Sequence, residues 1–174
     1  TLKTIFYVLV LLLLLFFTVL MAEITLRYIP FNSTASFLQI KQTEVNGSSY
    51  YLPVFYAHVY TSMFCLFAGF TQFNRSLLST QKGLHRNLGY IYVLTTLVFS
   101  APTGFVMGIH ANGGIVAILF FIVLAILWWW FTLQALLSAK QKNFKAHKNF
   151  MIRSYALALS AITLRLWKVV LVYC

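Results

Sequence analysis

Residues 88–139 read LGYIYVLTTLVFSAPTGFVMGIHANGGIVAILFFIVLAILWWWFTLQALLSA, 52 consecutive positions without one Asp, Glu, Lys or Arg. A helix rises about 1.5 Å per residue, so crossing the hydrocarbon core takes about 20 apolar residues. The run is too long for one crossing and right for two. The turn-forming string His110-Ala111-Asn112-Gly113-Gly114 divides it, predicting helices over 88–109 and 114–138. Pro102, which has no amide hydrogen, stands near Gly104 and predicts a kink toward the outer end of the first. Trp128, Trp129 and Trp130 fall in the inner half of the second, toward the interfacial belt where Trp concentrates.

The same pattern extends both ways. Val45 to Asn74 carries no charge and predicts a helix over 51–73. Leu2 to Tyr28, closed by Arg27 and Pro30, predicts another over 2–28. Lys3 and the apolar stretch up to Ala22 also resemble a signal peptide, but the stretch is long and Leu20 fits the small-residue cleavage rule poorly, so a retained helix is expected. Between these two helices the polar segment 30–50 reads as an exposed outer loop. It carries two glycosylation sequons, Asn32-Ser33-Thr34 and Asn46-Gly47-Ser48, which matter only in a eukaryotic secretory setting. Basic loops are expected at 74–87 and 139–148, and a last helix over 149–173. The fold class is therefore all-α, a polytopic transmembrane bundle of five helices in one membrane domain, 1–174.

Composition agrees. Hydrophobic residues make up 61% of the chain and charged residues 9%, against about a quarter charged in soluble domains. The net charge of +11 would suit nucleic acid, but the cations cluster between apolar runs, which the positive-inside bias explains without it. Lys3, Arg75, Lys82, Arg86, Lys140, Lys142, Lys145 and Lys148 fall on one side, Arg27 and Lys41 on the other. The N-terminus and both basic loops are thus expected in the cytoplasm, with the bilayer as first partner. Cys65 and Cys174 are too few for a disulfide framework, and Cys65 reads as a small buried thiol.

Small and polar residues mark helix faces that meet in lipid. His58, Ser62, Cys65, Gly69 and Gln72 share one face at steps of three and four. So do His85, Gly89, Tyr92, Thr96 and Thr103, and so do His147, Ser154, Ala158, Ala161 and Arg165. The bland reading is close packing with satisfied hydroxyls. It leaves the histidines and arginines to explain. His85 and His147 lie near the inner face, while His58 and His110 lie toward the outer one. Imidazoles paired across a bundle hold haem iron, and two such levels resemble the ascorbate-type dihaem cytochromes b, whose ligands sit deeper in the membrane. A lone histidine at the membrane edge is more often an interfacial anchor. A charge at mid-bilayer costs about 2.5–3.5 kcal/mol, yet Arg153, Arg165 and Lys168 face a chain with only Glu23 and Glu44. Glu23 is within reach of Arg165 or Arg27. The other cations either snorkel to headgroups or meet an exogenous anion such as a propionate, a lipid phosphate or a quinone oxygen.

Two stretches resemble a family. Gly83-Leu84-His85-Arg86-Asn87-Leu88-Gly89-Tyr90-Ile91-Tyr92 is one. The other is His147-Lys148-Asn149-Phe150-Met151-Ile152-Arg153-Ser154-Tyr155-Ala156-Leu157 with Ala161-Ile162-Thr163-Leu164-Arg165. With His58 and Gly69-x-x-Gln72-Phe73, they resemble a bacterial family of predicted membrane proteins, domain of unknown function 2306, over 52–167. The resemblance implies a bacterial inner membrane and a further hydrophobic segment beyond Cys174. It takes in His58, His85, His147, Arg153 and Arg165 but not His110. A structural role is also open to these motifs, His85-Arg86 meeting His147-Lys148 as a clamp, with Tyr92, Tyr155 and Asn87 satisfying them by hydrogen bonds.

No nucleophile elbow, phosphate loop, zinc-protease helix or carboxylate pair is present, so no catalytic residue is singled out. The leading expectation is a membrane protein binding a redox cofactor (haem b) or a quinone-like ligand for electron transfer. Its candidate cofactor-binding residues are His58, His85, His147, Arg153 and Arg165, and the three histidines are the ligands if haem or a metal is bound. The second is a non-catalytic subunit or scaffold that holds lipids or partner helices through its cationic inner face. The third, a small-solute transporter, rests only on Pro102-Thr103-Gly104.

Overall fold

The computed structural model describes residues 2–29, 31–34, 36–72 and 80–173, and every regular element among them is helical. The order is α1 (Leu2–Leu26), a 3-10 turn (Ser36–Lys41), α2 (Gln42–Gly47), α3 (Tyr51–Gln72) and α4 (Lys82–Thr95), then a π turn (Thr96–Ser100), α5 (Ala101–Ile109), α6 (Gly114–Lys140) and α7 (Phe144–Tyr173). Among the described residues, Tyr51–Gly69, Lys82–Ile109 and Gly114–Lys140 are long and apolar enough to cross a membrane, and α1 adds a shorter apolar stretch, Leu15–Leu26. Apolar side chains such as Val116, Leu119, Phe120 and Val123 stay exposed along α6, which suits a surface meant for lipid.

The helix containing 88–109 starts earlier, at Lys82, and the last starts at Phe144. Lys and Arg are good helix formers, and from a helix end their long stems reach the headgroups, so 82–87 and 144–148 are helical rather than looped. The part of the expected basic loop at 73–79, with Arg75, lies outside the described residues. Between α6 and α7 the chain turns on Lys142, whose φ is +59°. Asn143 N donates to Ser138 O at 2.9 Å and Lys142 N to Ala139 O at 3.0 Å, the pair of bonds that closes a Schellman turn. Asn143 Oδ1 then caps Ala146 N at 3.1 Å and starts α7.

The kink expected at Pro102 takes the form of the π turn just before it, with Ala101 N donating to Thr96 O. Continuing that i→i+5 register would require an amide hydrogen from Pro102 for Leu97 O. The Trp129 indole supplies it instead, at 3.2 Å. Successive helical residues are turned by about 100°, so the three tryptophans cannot share one environment. Trp129 and Trp130 are exposed; Trp128 turns inward, 5% exposed, away from the interfacial belt.

The polar stripes meet one another. Thr132 Oγ1 donates to Trp128 O (2.7 Å), so the hydrogen in its 2.7 Å bond to Ser154 belongs to Ser154. Tyr92 OH then donates to Ser154 Oγ at 2.8 Å and accepts from Trp128 Nε1 at 3.3 Å. The chain of bonds starts and ends on Trp128 and ties α4, α6 and α7 with each hydroxyl satisfied. On α3, Cys65 Sγ lies 3.3 Å from Thr96 Oγ1 and Ser100 Oγ donates to Thr61 Oγ1 at 2.9 Å. Gly69 is buried beneath the Tyr155 ring, whose hydroxyl donates to Leu66 O at 3.2 Å. Close packing with satisfied hydroxyls therefore accounts for most of the three stripes.

Most described residues of the polar segment 31–50 are exposed, but two side chains turn onto the bundle. Leu38 is fully buried against Tyr28, Tyr51 and Phe55, and Lys41 is 1% exposed. The one-turn spacing of Leu38 and Lys41 lets a 3-10 turn press both onto the bundle.

Candidate functional site

His58 lies half-buried on α3 beside α5, its Cε1 3.0 Å from where a Cβ on Gly104 would stand. Its Nδ1 is 3.0 Å from Ser100 O and 3.3 Å from Thr103 Oγ1, and its Nε2 is 3.5 Å from Ser62 Oγ. The carbonyl can only accept, and the Thr103 hydrogen goes to Phe99 O at 2.6 Å. Both neighbours of Nδ1 are therefore acceptors and Nδ1 carries the proton. In the neutral ring the lone pair is then on Nε2.

This ring borders a cavity of about 440 Å³ in the half of the bundle beneath the segment 36–47, within the size range of small-molecule sites. Five helices contribute: Met21 and Thr25 from α1, Met63 and Leu66 from α3, Met107 and Gly108 from α5, Phe121 and Trp128 from α6, Leu157 and Ala158 from α7. The lining is mainly apolar and includes no carboxylate among the described residues.

The roof is the segment between α1 and α3, with Phe37, Ile40 and Lys41, closing on the turn at His110. Lys41 Nζ donates to Glu44 Oε1 at 2.7 Å, to Asn112 Oδ1 at 2.5 Å and to the His110 carbonyl. The bond from Lys41 holds the Glu44 carboxyl below its usual range. His110 Nε2 pairs with Tyr50 OH at 3.0 Å, so its ring belongs to the roof.

The remaining candidates stand elsewhere. His85 and His147 occupy the other end of the bundle, within electrostatic range of one another. Fourteen residues of α3 separate His58 from Gln72, about 21 Å of helix, and Gln72 Nε2 donates to His85 O at 3.3 Å. Neither His85 nor His147 lines the cavity. His147 Nδ1 is 2.9 Å from Ala135 O and so carries its proton, while His85 Nδ1 is buried with no hydrogen-bond partner among the described residues. Arg153 is exposed, its guanidinium 5.7 Å from the rings of both Phe131 and Phe150. The Arg165 side chain lies outside the described residues. Glu23 pairs with Arg27 at 2.8 Å, both exposed, and Glu44 is taken by Lys41. The hydroxyls expected to satisfy the histidine clamp are used otherwise, Tyr92 on Ser154 and Tyr155 on Leu66.

No group of three or more His, Cys, Asp or Glu among the described residues is placed to hold a metal ion. Of the candidate residues whose side chains are described, His58 lines the cavity, and neither the roof nor Trp128 was among those candidates. Leu38 and Lys41, one 3-10 turn apart, were the available signal.

A family model described as a predicted membrane protein, domain of unknown function 2306, matches residues 55–174. No curated protein and no solved structure matches the chain.

Proposed function

The chain belongs to that family of predicted membrane proteins, and from this premise we propose that it is a five-helix, multi-pass protein of a bacterial inner membrane, N-terminus in the cytoplasm, binding a quinone-like redox ligand for membrane electron transfer. The observation that carries this reading is the 440 Å³ cavity, mostly apolar and edged by a histidine whose tautomer is fixed. An apolar pocket between helices with a few convergent polar groups is what an amphipathic ring-and-tail ligand requires. Of the candidate residues, His58 meets the ligand. Arg153 and Arg165 serve anionic headgroups or a partner subunit. The test is organic extraction of the protein purified in mild detergent. A lipid-soluble quinone near one per chain, lost in His58→Leu, supports the reading; an empty extract from a folded wild type overturns it.

A second reading has its own observation. The buried His85 Nδ1 without a partner, near a His147 whose Nδ1 proton is fixed, suits a pair of imidazoles awaiting a haem b iron. A reduced-minus-oxidised spectrum decides it: an α band that disappears in His85→Ala and His147→Ala supports haem, and a flat spectrum from fully occupied protein removes it. A flat spectrum and an empty extract together favour the non-catalytic subunit, bound through its cationic inner face to lipids or partner helices.

A further inference from the structure

Arg153 is a cation that the chain's own acids do not balance. The chain has only two carboxylates. Glu23 is paired with Arg27 and Glu44 with Lys41, both on the roofed side of the cavity. Arg153 stands toward the other end, about 14 Å along α7 by the helical rise and level with Phe131 of α6. Its side chain leans back toward the start of α7, as a helical Cβ directs it, to Phe150 one turn earlier. There the guanidinium lies 5.7 Å from the centroids of both Phe150 and Phe131, two rings stacked 6.3 Å apart. The rings attract the charge but offer no oxygen to its five N–H donors. Among the described residues no hydrogen bond or ion pair engages those donors, and the side chain is exposed.

The surroundings are those of a lipid-facing surface. One turn further from the α6–α7 turn, Leu127 and Ala156 are exposed as well. With 27 residues α6 spans about 40 Å, about 10 Å more than the hydrocarbon core, so a stem leaning back toward the turn carries its charge to the phosphate level rather than the midplane. We infer that Arg153, steadied by Phe131 and Phe150, binds the phosphate of one anionic phospholipid whose acyl chains run past Leu127 and Ala156. The planar guanidinium matches two phosphate oxygens at once. A choline headgroup would bring its own cation to an end where Lys140, Lys142, Lys145 and Lys148 are already exposed, whereas phosphatidylglycerol brings none. The inference rests on the reading of Arg153 as a headgroup contact and is independent of what fills the cavity.

Native mass spectrometry of the full chain in mild detergent, titrated with palmitoyl-oleoyl phosphatidylglycerol or the matching phosphatidylcholine, gives a dissociation constant for the first lipid of each kind. Phosphatidylglycerol is expected to bind roughly tenfold tighter, the worth of one charge-assisted bidentate contact. The ratio should fall severalfold in Arg153→Leu, fall less in Arg153→Lys, which keeps the charge without the fork, and largely persist when Lys145→Gln and Lys148→Gln are combined. A ratio undiminished in Arg153→Leu and lost in the double lysine variant means general cationic attraction and overturns the site. Equal binding of the two lipids by the wild type also overturns it. A stoichiometric protein that co-purifies with such a wild type and is lost in Arg153→Leu then assigns the residue to a partner subunit. The quinone reading stands in every case, since the organic extract decides it separately.

Discussion

Gly69 is the position where one added methyl group should do most damage. An ideal Cβ there would press into the face of the Tyr155 ring, 2.5 Å from Cζ and nearer still to two other ring carbons. Both partners are buried, with Tyr155 5% exposed and its hydroxyl on Leu66 O. Overpacking a filled site costs about 1–3 kcal/mol. A ring pushed off Leu66 forfeits a further ~1 kcal/mol of hydrogen bond. Against this stands a helix-propensity gain of about 1 kcal/mol for Ala over Gly. Gly69→Ala is therefore expected to destabilise by about 2 kcal/mol. In a Tyr155→Ala background the obstacle is gone and only the propensity term survives, so the same substitution should be neutral or stabilising by up to ~1 kcal/mol. The cycle predicts a coupling of about 2–3 kcal/mol, measured by unfolding in mixed micelles with increasing dodecyl sulfate. Additive effects, within about 0.5 kcal/mol, would refute the claim that Gly69 exists to seat Tyr155.

Three further outcomes follow from contacts elsewhere in the structure. Lys41→Met leaves Glu44, Asn112 and the His110 carbonyl without their donor and should open the roof by about 1–3 kcal/mol, read as faster proteolysis within 36–47. The Glu44 carboxyl is depressed below its ordinary value of 4.5, first by the Lys41 bond, so its share of this stability is complete above that value and is lost as pH falls through the lower folded one. Wild-type cleavage should be flat from neutrality down to about pH 5 and rise below it, and Glu44→Gln should abolish the rise. At the turn between α6 and α7, Lys142 sits at φ +59°, where an L side chain is strained, so Lys142→Gly should stabilise by about 1 kcal/mol in the same micelle assay; a loss would contradict the left-handed turn.

The helix stripes were legible in one dimension, whereas of the cavity only the edges at His58, Ser62, Ala158 and Ala161 lay on them. The stripe of His58, Ser62, Cys65, Gly69 and Gln72 could be read because helical spacing alone puts those residues on one face. The stripe of His85, Tyr92, Thr96 and Thr103 could be read for the same cause, and the two do meet, through Cys65 with Thr96 and His58 with Thr103. What spacing cannot say is how a stripe is satisfied. Tyr92 was expected near the histidine clamp and instead closes the circuit through Ser154, Thr132 and Trp128, a choice made by the relative rotation of three helices. The break at Pro102 was foreseeable from a missing amide hydrogen. That Trp129, on the next helix, would supply that hydrogen was not.

The 52-residue uncharged run with its Asn112-Gly113-Gly114 turn determined by itself that the chain belongs in lipid and folds back on itself. Hydropathy and turn chemistry are local properties; a bilayer admits only helices and closed barrels, and an apolar run without the alternation of barrel strands fits the helix. The tertiary structure alone decided where that run encloses space. The 440 Å³ cavity, its Lys41 latch and the tautomer of His58 depend on bonds between residues 42 to 71 positions apart. Those separations are set by helix packing, and no local pattern in the chain records them.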